Sequence, residues 1–76
     1  MKATIEILTD IRPECDFNAS KNFMGDGLLD SFDMITLVAA LDKVHGISIS
    51  GVDIVPENFQ NLQTISNLLR QNGVVL

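Results

Sequence analysis

One serine in this chain lies between two acidic residues in a stretch typical of the start of a helix. The stretch is Gly25-Asp26-Gly27-Leu28-Leu29-Asp30-Ser31-Phe32-Asp33. The Asp30 carboxylate can accept hydrogen bonds from amides of the first helical turn, so Asp30 is predicted to be the N-cap. Ser31 is then the first helical residue. At the positive end of the helix dipole, a phosphate ester on its hydroxyl would be stabilised.

Neighbouring residues support the same helix start. Asp33 occupies the position of the acidic residue in a capping box, and Leu29 and Met34 occupy the two positions of a hydrophobic staple. Gly25 and Gly27 permit positive φ, so the loop before the helix can turn tightly. Serine is also common at helix starts that carry no chemistry, so spacing alone leaves both interpretations open.

A nucleophilic enzyme is not supported by the sequence. The only histidine, His45, follows Ser31 by fourteen residues, which is roughly 21 Å along a helix and beyond hydrogen-bond reach. The single Cys15 excludes an internal disulfide. No basic group or helix start that would activate this thiol is evident. We therefore expect no catalytic residue.

A metal site is not supported either. Asp26, Asp30 and Asp33 surround Gly27, but their spacing differs from that of a calcium-binding EF-hand loop. The twelfth position counted from Asp26 is Leu37 rather than glutamate. Gly-Asp-Gly also matches neither glycine motif that binds phosphate. These carboxylates are interpreted as helix caps and solvated surface groups, and no metal is expected.

Length and composition predict one small acidic domain. The chain has 76 residues, 46% of them hydrophobic, with a formal net charge of −5. An acidic surface disfavours nucleic acid and anionic membranes and favours partners with basic docking patches. No apolar run is long enough to span a bilayer and no signal-peptide pattern is present, so the expected location is the cytoplasm. The expected oligomeric state is a monomer.

Before the serine, the sequence predicts one helix and a long loop. Apolar residues recur at helical spacing from Lys2 to Ile11, and Pro13 disfavours helical conformation in the residue before it. Residues 14–26 lack periodicity. The loop should nevertheless be anchored to the core, because it contains Phe17, Phe23 and Met24. A loop of this length is often functional, and this one leads to Ser31.

A second helix is predicted from Ser31 to His45, ending at Gly46. Its predicted core face consists of Met34, Leu37, Val38, Leu41 and Val44. Phe32, Ile35 and Ala39 form a second apolar strip, called the outer strip below. This strip either covers another part of the core or docks a partner beside Ser31.

After Gly46 the sequence predicts an extended loop with Ile47 and Ile49 pointing inward, and a short helix from Pro56 to about Phe59. The last helix should begin between Asn61 and Thr64 and end near residues 72–73. Its predicted core face consists of Leu62, Ile65, Leu68 and Leu69. The predicted fold is an all-α four-helix bundle, with three main helices, one short helix and a long loop after the first.

These residues resemble a known family. Gly27-Leu28-Leu29-Asp30-Ser31-Phe32 is similar to the Asp-Ser-Leu attachment motif of the acyl carrier protein and peptidyl carrier protein family. The downstream Pro56-Glu57-Asn58-Phe59 segment, the flanking helices and the chain length extend the resemblance over about the whole of residues 1–76. One departure is Phe32, where the family usually has leucine.

The resemblance implies a carrier rather than an enzyme. Ser31 would bear a 4′-phosphopantetheine arm, with Asp30 as part of the motif and as the helix cap. A separate Mg²⁺-dependent phosphopantetheinyl transferase would move the arm from coenzyme A onto Ser31. Further implied partners are an acyl- or aminoacyl-loading ligase and downstream synthases or transferases. Positions matching Phe32, Ile35 and Ala39 contact partners in the family, and Asp33 is added here as a candidate docking residue.

The cargo stays open at this stage. Fatty-acid carriers usually have several acids on the second helix, whereas this one has Asp33 and Asp42 together with Thr36 and Lys43. An acyl carrier, with a role in fatty acid biosynthesis, is the first hypothesis. A D-alanyl carrier protein or a stand-alone peptidyl carrier is the alternative within the class. The alternative from another class is an unmodified helical interaction module, and the intact Asp30-Ser31 pair argues against it.

Overall fold

The computed structural model describes residues 2–76 as helices joined by ordered loops. Helix α1 is Lys2–Ile11, α2 is Ser31–His45 and α3 is Leu62–Gln71. Two short 3₁₀ helices, Gly51–Asp53 and Pro56–Phe59, lie between α2 and α3. The all-α prediction is confirmed. Gly51–Asp53 is an additional turn that the sequence analysis interpreted as extended loop.

The core forms where α1, α2, α3 and the second 3₁₀ helix pack together. Helix α1 lies against α2, and Pro56–Phe59 contacts both α2 and α3. The buried apolar residues are Leu8, Phe17, Phe23, Leu29, Met34, Leu37, Val38, Leu41, Ile49, Phe59, Ile65, Leu68 and Leu69. Most of these side chains are aliphatic, as the low aromatic content requires.

The long loop is anchored by its aromatic residues, as predicted. Phe17 and Phe23 are buried and pack edge to face, with ring centroids 5.1 Å apart. The Phe23 N–H donates to the carbonyl oxygen of Gln60, and its own carbonyl accepts from the amides of Leu28 and Leu29. The loop is thereby joined to the segment before α3 at one side and to the start of α2 at the other.

Each end of α2 is defined by a specific residue. Asp30 is the N-cap, and Gly46 at the other end has φ 63°, the left-handed conformation typical of C-terminal glycines. Past Gly46, Ile49 is buried and Ile47 is half-buried, as the sequence predicts for an extended loop. One prediction on α2 is wrong. Val44 is 54% exposed rather than part of the core. At 3.6 residues per turn it lies at the edge of the buried arc of α2, and the half-buried His45 occupies the inner position of that turn.

The C-terminal glycine of α2 gives a first prediction. Gly46→Ala should destabilise the protein by about 1 kcal/mol or more, since an L-residue is strained at positive φ. Gly51→Ala is the matched control. Gly51 has no positive φ, and a Cβ added there meets nothing within 4 Å. Urea unfolding of both variants measures the difference, and equal stabilities would contradict the role given to Gly46.

Candidate functional site

The start of α2 is held by a reciprocal capping box between Asp30 and Asp33. The Asp33 N–H donates to Asp30 Oδ1 at 2.9 Å, and the Asp30 N–H donates to Asp33 Oδ2 at 3.2 Å. Asp30 has extended backbone angles, with φ −112° and ψ −174°, as an N-cap requires. The predicted cap and capping box are confirmed, and Ser31 is the first residue of the helix.

Apolar contacts beneath the cap fix the direction in which the chain enters the helix. Leu29 is 2% exposed and Met34 is 7% exposed, so the two staple positions are buried as predicted. Ser31, between them in sequence, is exposed. The same turn therefore buries the two staple side chains and leaves Ser31 exposed.

The two glycines before the cap have different roles. Gly27 has φ 76° and makes the tight turn that the sequence predicts. Gly25 has no positive φ, contrary to what its prediction as a turn glycine implies. Its amide donates to Asn22 Oδ1 at 2.9 Å, and an added Cβ would come within 2.6 Å of Asn22 Nδ2. Gly25 thus allows close approach of the Asn22 side chain.

Arg12 is the residue of the site that sequence reasoning missed. Its Nε donates to Asp33 Oδ2 at 2.9 Å, and its Nη2 lies 2.7 Å from the same oxygen. Nη2 is also 3.4 Å from Asp30 Oδ2, and Nη1 is 3.8 Å from a Glu14 carboxylate oxygen. A usable signal was present, since two acids at the predicted helix start can pair with a cation. The sequence between the first two helices contains only Arg12 and Lys21 as basic residues.

These contacts shift the pKa of both partners so that each charged form is favoured. Burial by itself raises the pKa of Asp33, but hydrogen bonds from Arg12 and from the Asp30 backbone outweigh it and hold the pKa of that carboxyl below its usual value. The hydrogen bond with Asp33, followed by its charge, raises the pKa of Arg12. The carboxylate of Asp33 is therefore stabilised in its ionised form.

The outer strip lies on the solvent side of α2. Phe32 is 83% exposed, Ile35 is 60% exposed and Ala39 is also exposed. The inner side of the same helix contributes Leu37 and Leu41 to the core. Asp33 differs from the other candidate docking residues. Its side chain is only 15% exposed and is bound by Arg12, so its carboxylate stabilises the helix start instead of facing solvent.

The other chemistries considered for the chain gain no support from the geometry. His45 is the last residue of α2 and Ser31 is the first, so the helix separates the two ends by roughly 21 Å. Within residues 2–76, no three or more His, Cys, Asp or Glu side chains form a group that could hold a metal ion. In the same part of the chain, no helix is long and apolar enough to cross a membrane.

The remaining candidate for chemistry is the exposed residue Ser31 at the capped start of α2. The amides of the first two helical residues, Ser31 and Phe32, have no intrahelical carbonyl partner by the geometry of an α-helix. A phosphodiester on Ser31 would lie beside these amides and the positive end of the dipole of a 15-residue helix. The exposure of Ser31 leaves room for a long group. The residues present therefore fit a serine-linked phosphodiester arm.

Comparison with known families agrees with this geometry. Residues 2–71 match the profile of the family described as the phosphopantetheine attachment site. The match spans nearly the whole chain, and the chain belongs to this family of carrier domains. Comparisons with curated proteins and with solved structures found no match.

Membership of this family gives the chain its general role. Domains of the family are non-catalytic carriers, and they bear a 4′-phosphopantetheine group on a serine. They interact with phosphopantetheinyl transferases and with the enzymes that modify the carried group. The carrier resemblance and the phosphopantetheine cofactor expected from the sequence are thereby confirmed.

The ion pair at the helix start gives a second prediction. Because the pKa of Asp33 is lower in the folded than in the unfolded chain, its contribution to stability is complete above about pH 4, near the unfolded pKa. That contribution is lost as the pH falls through the lower, folded pKa. Asp33→Asn should therefore be less stable than wild type at pH 7, and the difference should shrink below about pH 4.

Urea unfolding between neutral and acidic pH checks this prediction. In a plot of the free energy of unfolding against pH, Arg12→Gln should, like Asp33→Asn, lose less stability than wild type as the pH falls below about 4. Arg70→Gln changes the net charge equally but lies on α3, and it should keep the shape of the wild-type curve. A constant difference between wild type and Asp33→Asn over the whole pH range would contradict the proposed ion pair.

Proposed function

We propose that Ser31 is the attachment site of the phosphopantetheine arm and that the protein carries acyl groups as thioesters. The observation that carries this proposal is the exposed Ser31 hydroxyl at the capped start of α2. When bound, the arm supplies a terminal thiol that forms the thioester with the cargo. The chain supplies no acid, base or metal for the transfer.

The chain contributes to each reaction by presenting the tethered cargo to the partner enzyme. The capping box and Arg12 hold the first turn of α2 in one conformation, so Ser31 projects from a rigid support rather than from a mobile loop. The partner enzymes then meet the cargo on a tether, which raises its effective concentration at each active site.

The outer strip is the proposed docking surface for these partners. Phe32 follows Ser31 directly, Ile35 is four residues after Ser31 and Ala39 four residues further, so the three lie along one face of α2. An exposed apolar strip gives a partner side chains to bury, and surrounding charges fix orientation. Asp33 is left out of this surface because Arg12 binds its carboxylate.

Two kinds of cargo are considered, an acyl group and an aminoacyl group. Helix α2 has Asp33 in its first turn and Lys43 in its last, and Asp33 is paired with Arg12. Few free acidic side chains therefore remain near Ser31 for a basic partner, and charge is a main determinant of partner choice. This pattern keeps the D-alanyl or peptidyl carrier as the second candidate. Under both hypotheses the protein is a monomeric, cytoplasmic, single-domain carrier. Only the acyl-carrier hypothesis includes a role in fatty acid biosynthesis.

The attachment site is tested by intact mass spectrometry. Wild type incubated with coenzyme A, Mg²⁺ and a broad-specificity phosphopantetheinyl transferase should gain one arm, and Ser31→Ala should gain none. Ser48→Ala is the matched control, since Ser48 is also exposed but lies in the loop after α2. Ser31→Ala should keep wild-type stability, because Asp30 is the cap. Modification that persists in Ser31→Ala, or an unmodified wild type, would overturn the assignment. The second result would favour the unmodified interaction module.

The docking surface is tested with two truncations on the same helix. Ile35→Ala should change stability by no more than about 0.5 kcal/mol, because Ile35 is 60% exposed. Leu37→Ala should cost about 2–5 kcal/mol, because Leu37 is fully buried. Only Ile35→Ala should reduce kcat/KM for arm transfer, by about fivefold or more, in conditions where both variants stay folded.

Urea unfolding and transfer kinetics on the two variants separate docking from stability. The same pair can then be tested with a cognate loading enzyme. Unchanged kinetics for Ile35→Ala with every partner tried would remove the outer strip from the docking surface.

A further inference from the structure

Arg12 joins the end of α1 to both carboxylates that flank Ser31. Its guanidinium donates to Asp33 at 2.9 Å through Nε, and its Nη2 lies 3.4 Å from the Asp30 carboxylate. Asp30 is the residue before Ser31, and Asp33 is two residues after it. A single guanidinium, from the residue that follows α1, is therefore shared between the two negative charges at the proposed attachment site.

The charge at this site changes when the serine is modified. A phosphodiester adds a negative charge to a helix start that already has two carboxylates, and like charges this close repel each other. The first turn of α2 has no basic side chain of its own, because Lys43 and His45 lie in the last turn. The helix dipole offsets part of the repulsion. The remaining compensation has to come from another element.

We propose that Arg12 is a positioning residue for the modified serine: its charge offsets part of the repulsion among Asp30, Asp33 and an anionic group on Ser31, so that this group is tolerated at an intact helix start. This inference rests on the proposed attachment at Ser31. Adjacent Cα atoms are about 3.8 Å apart. The guanidinium is 3.4 Å from the carboxylate of Asp30, the residue before Ser31. It therefore lies within roughly 10 Å of Ser31, which is about the Debye length at 0.1 M salt.

This role makes a different prediction from a purely structural ion pair. An ion pair that only connects α1 to α2 stabilises the unmodified and the modified protein equally. A charge-balancing guanidinium is more important once the anion is present. The decisive quantity is therefore the change in stability caused by the arm, compared between variants.

The experiment measures urea unfolding of the unmodified and the arm-bearing protein for four chains. These are wild type, Arg12→Gln, Arg12→Lys and Arg70→Gln, with the modification of each verified by intact mass. The arm should raise the unfolding equilibrium constant of Arg12→Gln about two- to fivefold more than that of wild type. Arg12→Lys should recover most of the wild-type behaviour because it restores the charge. Arg70→Gln should match wild type, since it loses the same charge on α3.

A second set of variants makes the result independent of the transferase, which could fail to accept Arg12→Gln. Ser31→Glu places a carboxylate at the same position without an arm. If Arg12 offsets the added charge, Ser31→Glu should lower stability more, or raise it less, when Arg12 is replaced by Gln than when Arg12 is present. The difference should shrink at about 1 M salt, where the Debye length is about 3 Å.

The outcomes separate this inference from the proposed function. Failure of Ser31 in the wild-type chain to accept the arm removes the attachment site, and the inference with it. Modification at Ser31 with the same change in stability in all four chains removes only the role of Arg12. Equal effects of Ser31→Glu in both chains would remove it as well.

Discussion

The ordered start of α2 depends on one carboxylate, that of Asp33. This carboxylate accepts hydrogen bonds from the Asp30 backbone amide and from Arg12 Nε, and Arg12 Nη2 forms an ion pair with it. The backbone amide of Asp33 in turn donates to the Asp30 carboxylate. These hydrogen bonds are charge-assisted because the carboxylate is ionised. They are also partly shielded from water, since the Asp33 side chain is only 15% exposed. They connect the end of α1 to the first turn of α2. Through this contact, the position of Ser31 is determined by the fold as a whole and not only by its own helix.

Helix α2 has two apolar sides, one buried and one exposed. The inner side, with Leu37 and Leu41, packs in the core that α1, α3 and the anchored loop complete. The outer strip stays exposed directly beside the serine. A helix that is fixed on one side by burial can leave its other side exposed to partners. In the proposed function, this division gives a small domain a recognition surface for several enzymes.

Local signals made most of this arrangement predictable from sequence. The cap at Asp30, the staple at Leu29 and the glycine that ends α2 depend on residues a few positions apart, and each is where the sequence places it. Long-range features were not predictable in the same way. The Arg12–Asp33 pair joins residues 21 apart, and its existence depends on how α1 packs against α2. Val44 was misplaced because the apolar pattern favoured it over the polar His45, although His45 lies closer to the middle of the buried side of α2.

The central claim is that a preformed helix start at Ser31 carries the arm without rearrangement of the fold. Amide NMR spectra of the unmodified and the arm-bearing protein test it most directly. The account predicts shift changes at Ser31 and its neighbours in the first turn of α2, with the buried residues of α3, such as Ile65 and Leu69, unchanged. Changes centred on another serine, or spread through the core of α3, would contradict it.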